Sequence, residues 1–185
     1  GFMINFLNPT LFIGVLTSSF FVISLIASLG LNTGGLAGKM NENVEKISDI
    51  DGRKIENFER AILPNTTVIY LESPNSWDYA LQDLKAVAEL AKAEHITTII
   101  DNSYCTPLYQ KPIEMGIDIS MQTATKYISG HSDTLGGVLS GSKAMMEKIF
   151  NSEYLTVGSG IQPCKACLLS RGLRTLPARL KRITA

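Results

Sequence analysis

The chain has 185 residues, 45% of them hydrophobic and 18% charged, enough apolar material for a packed core and unlike a disordered chain. Seventeen basic side chains balance seventeen acidic ones and no basic run interleaves with aromatics, which argues against nucleic acid as a partner. Three cysteines are too few for a disulfide framework, so the composition fits a reducing, cytoplasmic setting.

The first forty residues differ from the rest. No charged side chain precedes Lys39, and Leu11 to Leu31 form an apolar run about long enough to cross a bilayer as a helix. With no basic residue ahead of it and no small-x-small site behind it, the run makes a poor secretory signal. It reads as a membrane span, a buried helix or foreign sequence, and residues 1–40 are set apart as an apolar leader from a domain over 41–185.

From Asn41 on, short apolar strands alternate with amphipathic helices. Thr67 to Leu71 is rich in β-branched and aromatic residues and stops at Glu72-Ser73-Pro74, the pattern of a buried strand ending in a turn. Leu81, Leu84, Val87, Ala88 and Ala91 recur at helical spacing, with Asp83, Lys85, Glu89 and Lys92 on the other faces. Ile96 to Ile100 predicts a second strand, halted at Asp101-Asn102. A short helix around Pro112 to Met115 and a third strand over Ile117 to Met121 follow, then Thr123-Ala124-Thr125-Lys126. Strand, helix, strand in this order implies parallel strands with helical crossovers, hence an α/β layered fold with a mainly parallel sheet.

Ligands of open α/β sheets bind outside the carboxyl ends of the strands. Glu72, Asp101 and the Thr123–Lys126 group each follow a predicted strand end, so parallel strands put them on one rim. Residue pattern alone carries the reading no further than an α/β enzyme with an anion site. Taken singly, an Asp after a strand is most often a turn former and a lone lysine a solvated amine.

Three segments narrow it: Asp101-Asn102-Ser103-Tyr104; Gln122-Thr123-Ala124-Thr125-Lys126-Tyr127-Ile128-Ser129-Gly130-His131-Ser132-Asp133; and Gly136-Gly137. Together they resemble the Cys/Met-metabolism (transsulfuration) family of pyridoxal-phosphate (PLP) enzymes, in the right order. Arg171-Gly172-Leu173-Arg174-Thr175-Leu176 is similar to a further stretch of that family, and the likeness covers about Ile47 to Arg182. The resemblance implies the PLP-binding large domain of a fold-type I, aspartate aminotransferase-like enzyme. It implies that Lys126 is the catalytic residue, forming the Schiff base with PLP and moving protons on the substrate carbons, for which a buried site would favour the neutral amine. Asp101 would pair with the pyridine nitrogen, and Thr123 and Thr125 would offer hydroxyls to the phosphate. His131 receives no catalytic role.

The resemblance further implies carbon–sulfur lyase chemistry on a sulfur amino acid such as cystathionine, in a homo-oligomer, a dimer or tetramer. Glu72-Ser73-Pro74-Asn75-Ser76 and the wording Gly116 to Gln122 resemble cystathionine β-lyases; cystathionine γ-synthase, γ-lyases and methionine γ-lyase stay open. So does a non-catalytic, membrane-tethered α/β module. The sequence shows no Gly-Met phosphate loop, ring-stacking tyrosine segment, Tyr-x-Arg element or carboxylate-gripping arginine domain, so a fragment is expected. Cys164-Lys165-Ala166-Cys167 lacks the further Cys and His ligands a structural zinc site needs; it resembles a stretch where the family carries Pro-aromatic-x-Ala, which implies that Cys164 replaces a core aromatic, and Cys105 reads as a packing residue.

Overall fold

The computed structural model describes residues 2–6, 11–14, 44–47, 50–64, 66–155 and 160–185, the first three segments as backbone alone. Seven strands form one sheet in the order β3-β1-β2-β4-β5-β6-β7. These are β1 (Phe2–Phe6), β2 (Leu11–Gly14), β3 (Val44–Ile47), β4 (Thr66–Glu72), β5 (Thr97–Asp101), β6 (Ile119–Thr123) and β7 (Gly137–Gly141). The centre, β2-β4-β5-β6, is parallel, as the alternation of strands and helices predicts. The flanks are antiparallel: β1 pairs with β2 and β3 on one side, β7 with β6 on the other. β7 turns back because residues 124–136 contain no crossover helix; the loop leaves and re-enters at the same end of the sheet.

Residues 11–14 of the expected apolar run are strand β2, hydrogen-bonded in parallel to β4, and residues 15–31 lie outside the described residues. Among the described residues no helix is long and apolar enough to cross a membrane.

Period-two alternation in β4 and β5 builds two cores. Ile69, Leu71 and Ile100 point to one face, where they pack with Phe58 of α1 (Ile55–Ala61) and with Leu84, Val87, Ala88 and Ala91 of α2 (Leu84–Ala93). Val68, Tyr70 and Ile99 point to the other, against Ile119, Met121 and the methionines of α4 (Lys143–Ile149); α3 (Thr106–Tyr109) lies between β5 and β6 in the chain. With helices on both faces, β4 is buried along nearly its whole length.

Two boundaries differ from the sequence reading. α2 starts at Leu84 because the Asp83 carboxylate accepts the Ala86 N–H as its N-cap, which leaves Leu81 exposed rather than on the buried face. β6 starts at Ile119, two residues late, because Asp118 is taken up in a lateral bond set: its carboxylate accepts from Thr98 N (2.8 Å) and Thr98 Oγ1 (2.9 Å).

After β7, α5 (Pro163–Leu173) and α6 (Leu176–Ile183) return to the loop that carries Lys126. Leu169 of α5 packs on Ala124 and Ile128 of that loop.

Candidate active site

The ends of β4, β5 and β6 share one rim. Glu72 lies opposite Asp101, and Asp101 opposite Met121, two residues before the end of β6. The Asp-Asn-Ser motif stitches this rim together. Ser103 N donates to Asp101 Oδ1 at 2.8 Å, closing a turn of the kind expected of an aspartate after a strand, and Ser103 Oγ accepts the Thr123 N–H at 2.6 Å from the next strand. Asn102 N donates to the Met121 carbonyl; its side chain bonds Gln110, whose Nε2 also reaches the Ser73 carbonyl at 2.8 Å. The turns after β4 and β5 are thus fixed to each other. Asp101 is only 4% exposed, yet its Oδ2 has no hydrogen-bond partner among the described residues. The turn-forming and ligand-binding readings of Asp101 are therefore compatible, one oxygen for each.

Lys126 follows on a single helical turn. Ser129 N donates to Ala124 O and Gly130 N to Lys126 O, both at 2.8 Å, around the fully buried Ala124. The Lys126 side chain is exposed in this chain, where the resemblance implies a buried site. It opens on a cleft of about 880 Å³ lined also by Thr125, Tyr127, Lys165, Arg179 and Arg182, a cationic set suited to an anion. Thr123 and Thr125 part company here. The Thr125 hydroxyl is held by Gly136, accepting its N–H at 3.1 Å, so it staples the loop 124–136 shut. The Thr123 hydroxyl makes no bond among the described residues and is the open donor of the two; neither it nor Asp101 lines the cleft.

His131 Nδ1–H donates to the Ser129 carbonyl at 2.7 Å, a loop-stabilising contact. Asp133 pairs with Arg171 at 2.5 Å, and that guanidinium holds the Asp133 carboxyl below its usual range. Burial pushes the Cys105 thiol up, while Cys164 and Cys167 are exposed free thiols; among the described residues no His, Cys, Asp and Glu cluster is arranged to hold a metal.

Glu72 was placed on the rim by the sequence but given no role. It is buried, accepts from Ser76 N and Ser76 Oγ at 3.3 Å each, and its pKa rises from 4.5 to about 7, chiefly through desolvation, with Asp101 pushing it further up and the Ser76 bonds and Lys126 opposing. Between those two values the folded protein holds a proton that the unfolded chain has released. Stability from this group is therefore complete below about pH 4.5 and is lost as pH rises through about 7. At 1.36 kcal/mol per unit the loss is at most about 3 kcal/mol. Glu72→Gln is expected to raise the thermal midpoint at pH 8 and leave it unchanged near pH 4.5; an equal shift at both would show that charge is not the cause.

The arrangement is that of a cofactor-binding α/β enzyme: a buried carboxylate, a hydroxyl and an amine on adjoining strand ends. The chain belongs to the family of Cys/Met metabolism PLP-dependent enzymes, whose family model matches residues 36–185. It is 38% identical to L-methionine gamma-lyase of Pseudomonas putida over 138 residues, 74% of this chain and 35% of that protein. To cystathionine beta-lyase MetC of Bacillus subtilis it is 40% identical over 125 residues, 66% of this chain and 32% of the relative. The crystal structure of cystathionine gamma-lyase from Lactobacillus plantarum complexed with L-serine superposes with a TM-score of 0.68 at 38% identity, covering 71% of this chain and 34% of that one. The chain thus spans about a third of the length of the relatives it matches.

The family's cofactor fits the donor set. Lys126 offers an exposed amine, Asp101 a buried carboxylate oxygen without a partner among the described residues, and Thr123 an open hydroxyl; Thr125 accepts the Gly136 N–H and keeps its own proton, held only by a 3.4 Å contact to the Gly136 carbonyl.

Proposed function

We propose that this chain carries the cofactor-binding part of a PLP-dependent carbon–sulfur lyase that cleaves cystathionine by β-elimination. The observation that carries the reading is the placement of Asp101, with one carboxylate oxygen unpartnered, on the strand next to the one that leads into Lys126. PLP, when bound, supplies the electron sink that a carbanion at the substrate α-carbon requires. Lys126 would hold the cofactor and then take and return the α-proton. Asp101 would hold the proton on the ring nitrogen, and Thr123 would donate to the phosphate. The free thiols Cys105, Cys164 and Cys167 suit a cytoplasmic setting.

The β-reading rests on the likeness of Glu72-Ser73-Pro74-Asn75-Ser76 and of Gly116 to Gln122 to cystathionine β-lyases; Ser76 is fastened to Glu72 through its N–H and its hydroxyl. A second reading, γ-elimination, has support from relatives too, L-methionine gamma-lyases at 38% and 39% identity standing beside cystathionine beta-lyases at 40% and 41%. Products decide between them. Given to the full-length protein with PLP, cystathionine and water should yield pyruvate, ammonia and homocysteine by β-elimination, or 2-oxobutyrate, ammonia and cysteine by γ-elimination. Release of neither keto acid from cystathionine or methionine would sink both readings.

A further inference from the structure

The Lys126 turn is held from outside by one side chain that none of the motifs above contains. Arg179, on α6, reaches the carbonyl oxygens of the two residues after Lys126: Nη1 lies 2.6 Å from Tyr127 O and Nη2 3.3 Å from Ile128 O. Nη2 also donates to Gly172 O at 2.8 Å, and Nε to Thr175 Oγ1 at 3.0 Å. The turn reverses at Gly130, whose φ of +70° ends any helical continuation, so the carbonyls of Tyr127 and Ile128 have no amide further along to accept from. A guanidinium suits this task because its donors are fixed in a planar fork, whereas a lysine ammonium at the same place is a single point at the end of a flexible stem. The ion pair between this loop and the C-terminal helices, Arg171 to Asp133, is half-exposed and correspondingly weak.

We propose that Arg179 is a positioning residue for Lys126, fixing the turn that aims the amine. The inference rests on the cofactor role given to Lys126 above. It is read with Arg179→Gln and Arg179→Lys in the full-length protein with PLP, by two signals: the rate at which the pyridoxyl group becomes reducible onto Lys126 by borohydride, and the pH midpoint of the bound cofactor's visible absorbance. Misplacement of a reacting group by about 1 Å costs on the order of a hundredfold, so Arg179→Gln should slow labelling about tenfold or more and move the absorbance midpoint. Arg179→Lys should fold as the wild type and recover only part of the rate. A purely structural arginine would instead lower the melting temperature and leave the rate and midpoint of the folded fraction alone. Wild-type rate and midpoint in folded variants would overturn the proposal, and should Arg179→Gln fail to fold, Arg179→Lys decides by the same criterion. Failure of the wild type to take label at Lys126 would overturn the functional reading and this inference together; a labelled wild type with unaltered variants overturns the inference alone.

Discussion

Lys126→Ala is expected to abolish covalent capture of PLP and to lower keto-acid release from cystathionine by about a thousandfold or more. The magnitude follows from the two jobs assigned to one amine. General acid–base transfer alone is typically worth between about a hundredfold and ten-thousandfold, and loss of the covalent tether adds to it. Among the described residues, the lysines other than Lys126 sit on other elements. Lys111 follows α3 and pairs with Glu114 at 3.1 Å, and Lys143 opens α4, within 3.7 Å of Glu147. Lys165 lines the same cleft but belongs to α5, so its approach differs. The check is borohydride reduction with PLP followed by peptide mapping of wild type and variant. Label at Lys126 in the wild type and none in the variant is the expected result. Label that persists in Lys126→Ala at the wild-type level would remove this residue from the chemistry.

What the sequence made legible was local. β4, β5 and α2 follow from β-branched runs and from helical spacing of Leu84, Val87, Ala88 and Ala91, and the strand-end rule alone puts Glu72, Asp101 and Lys126 on one rim. What it hid depends on partners distant in the chain. Thr125 has the side chain of a phosphate donor, and only the fold shows that its oxygen also accepts the N–H of Gly136, eleven residues on. Gln110 has no motif around it, yet it joins the turns after β4 and β5 through Ser73 and Asn102. Arg179 is one of two arginines in a basic C-terminal helix, and only the fold shows which carbonyls it meets. Leu81 failed for a different reason: periodicity sees apolar spacing but not the cap at Asp83 that starts the helix later.

Gly172→Ala is the substitution expected to damage the fold most for its size, because one methyl group would separate α5 from the Lys126 turn. In an ordinary helix the change is favourable by about 1 kcal/mol, since alanine has the better helix propensity. Here a Cβ at position 172 would meet the carbonyl oxygens of Ser129 and Ile128 and come within 2.7 Å of Ser129 C. Those are backbone atoms, so no side chain can rotate away and the helix or the turn must shift. Overpacking of this kind costs about 1–3 kcal/mol or more, and with two carbonyls in the path the upper end applies, which outweighs the propensity gain. The shift would also draw Arg179 off the Gly172 carbonyl and loosen its hold on Tyr127 and Ile128. The expected outcome is a net loss of about 2 kcal/mol in urea unfolding of the full-length protein, with slower labelling of Lys126 by PLP and borohydride. A variant as stable as the wild type, or more stable, would mean that α5 and the turn are not packed backbone to backbone at Gly172.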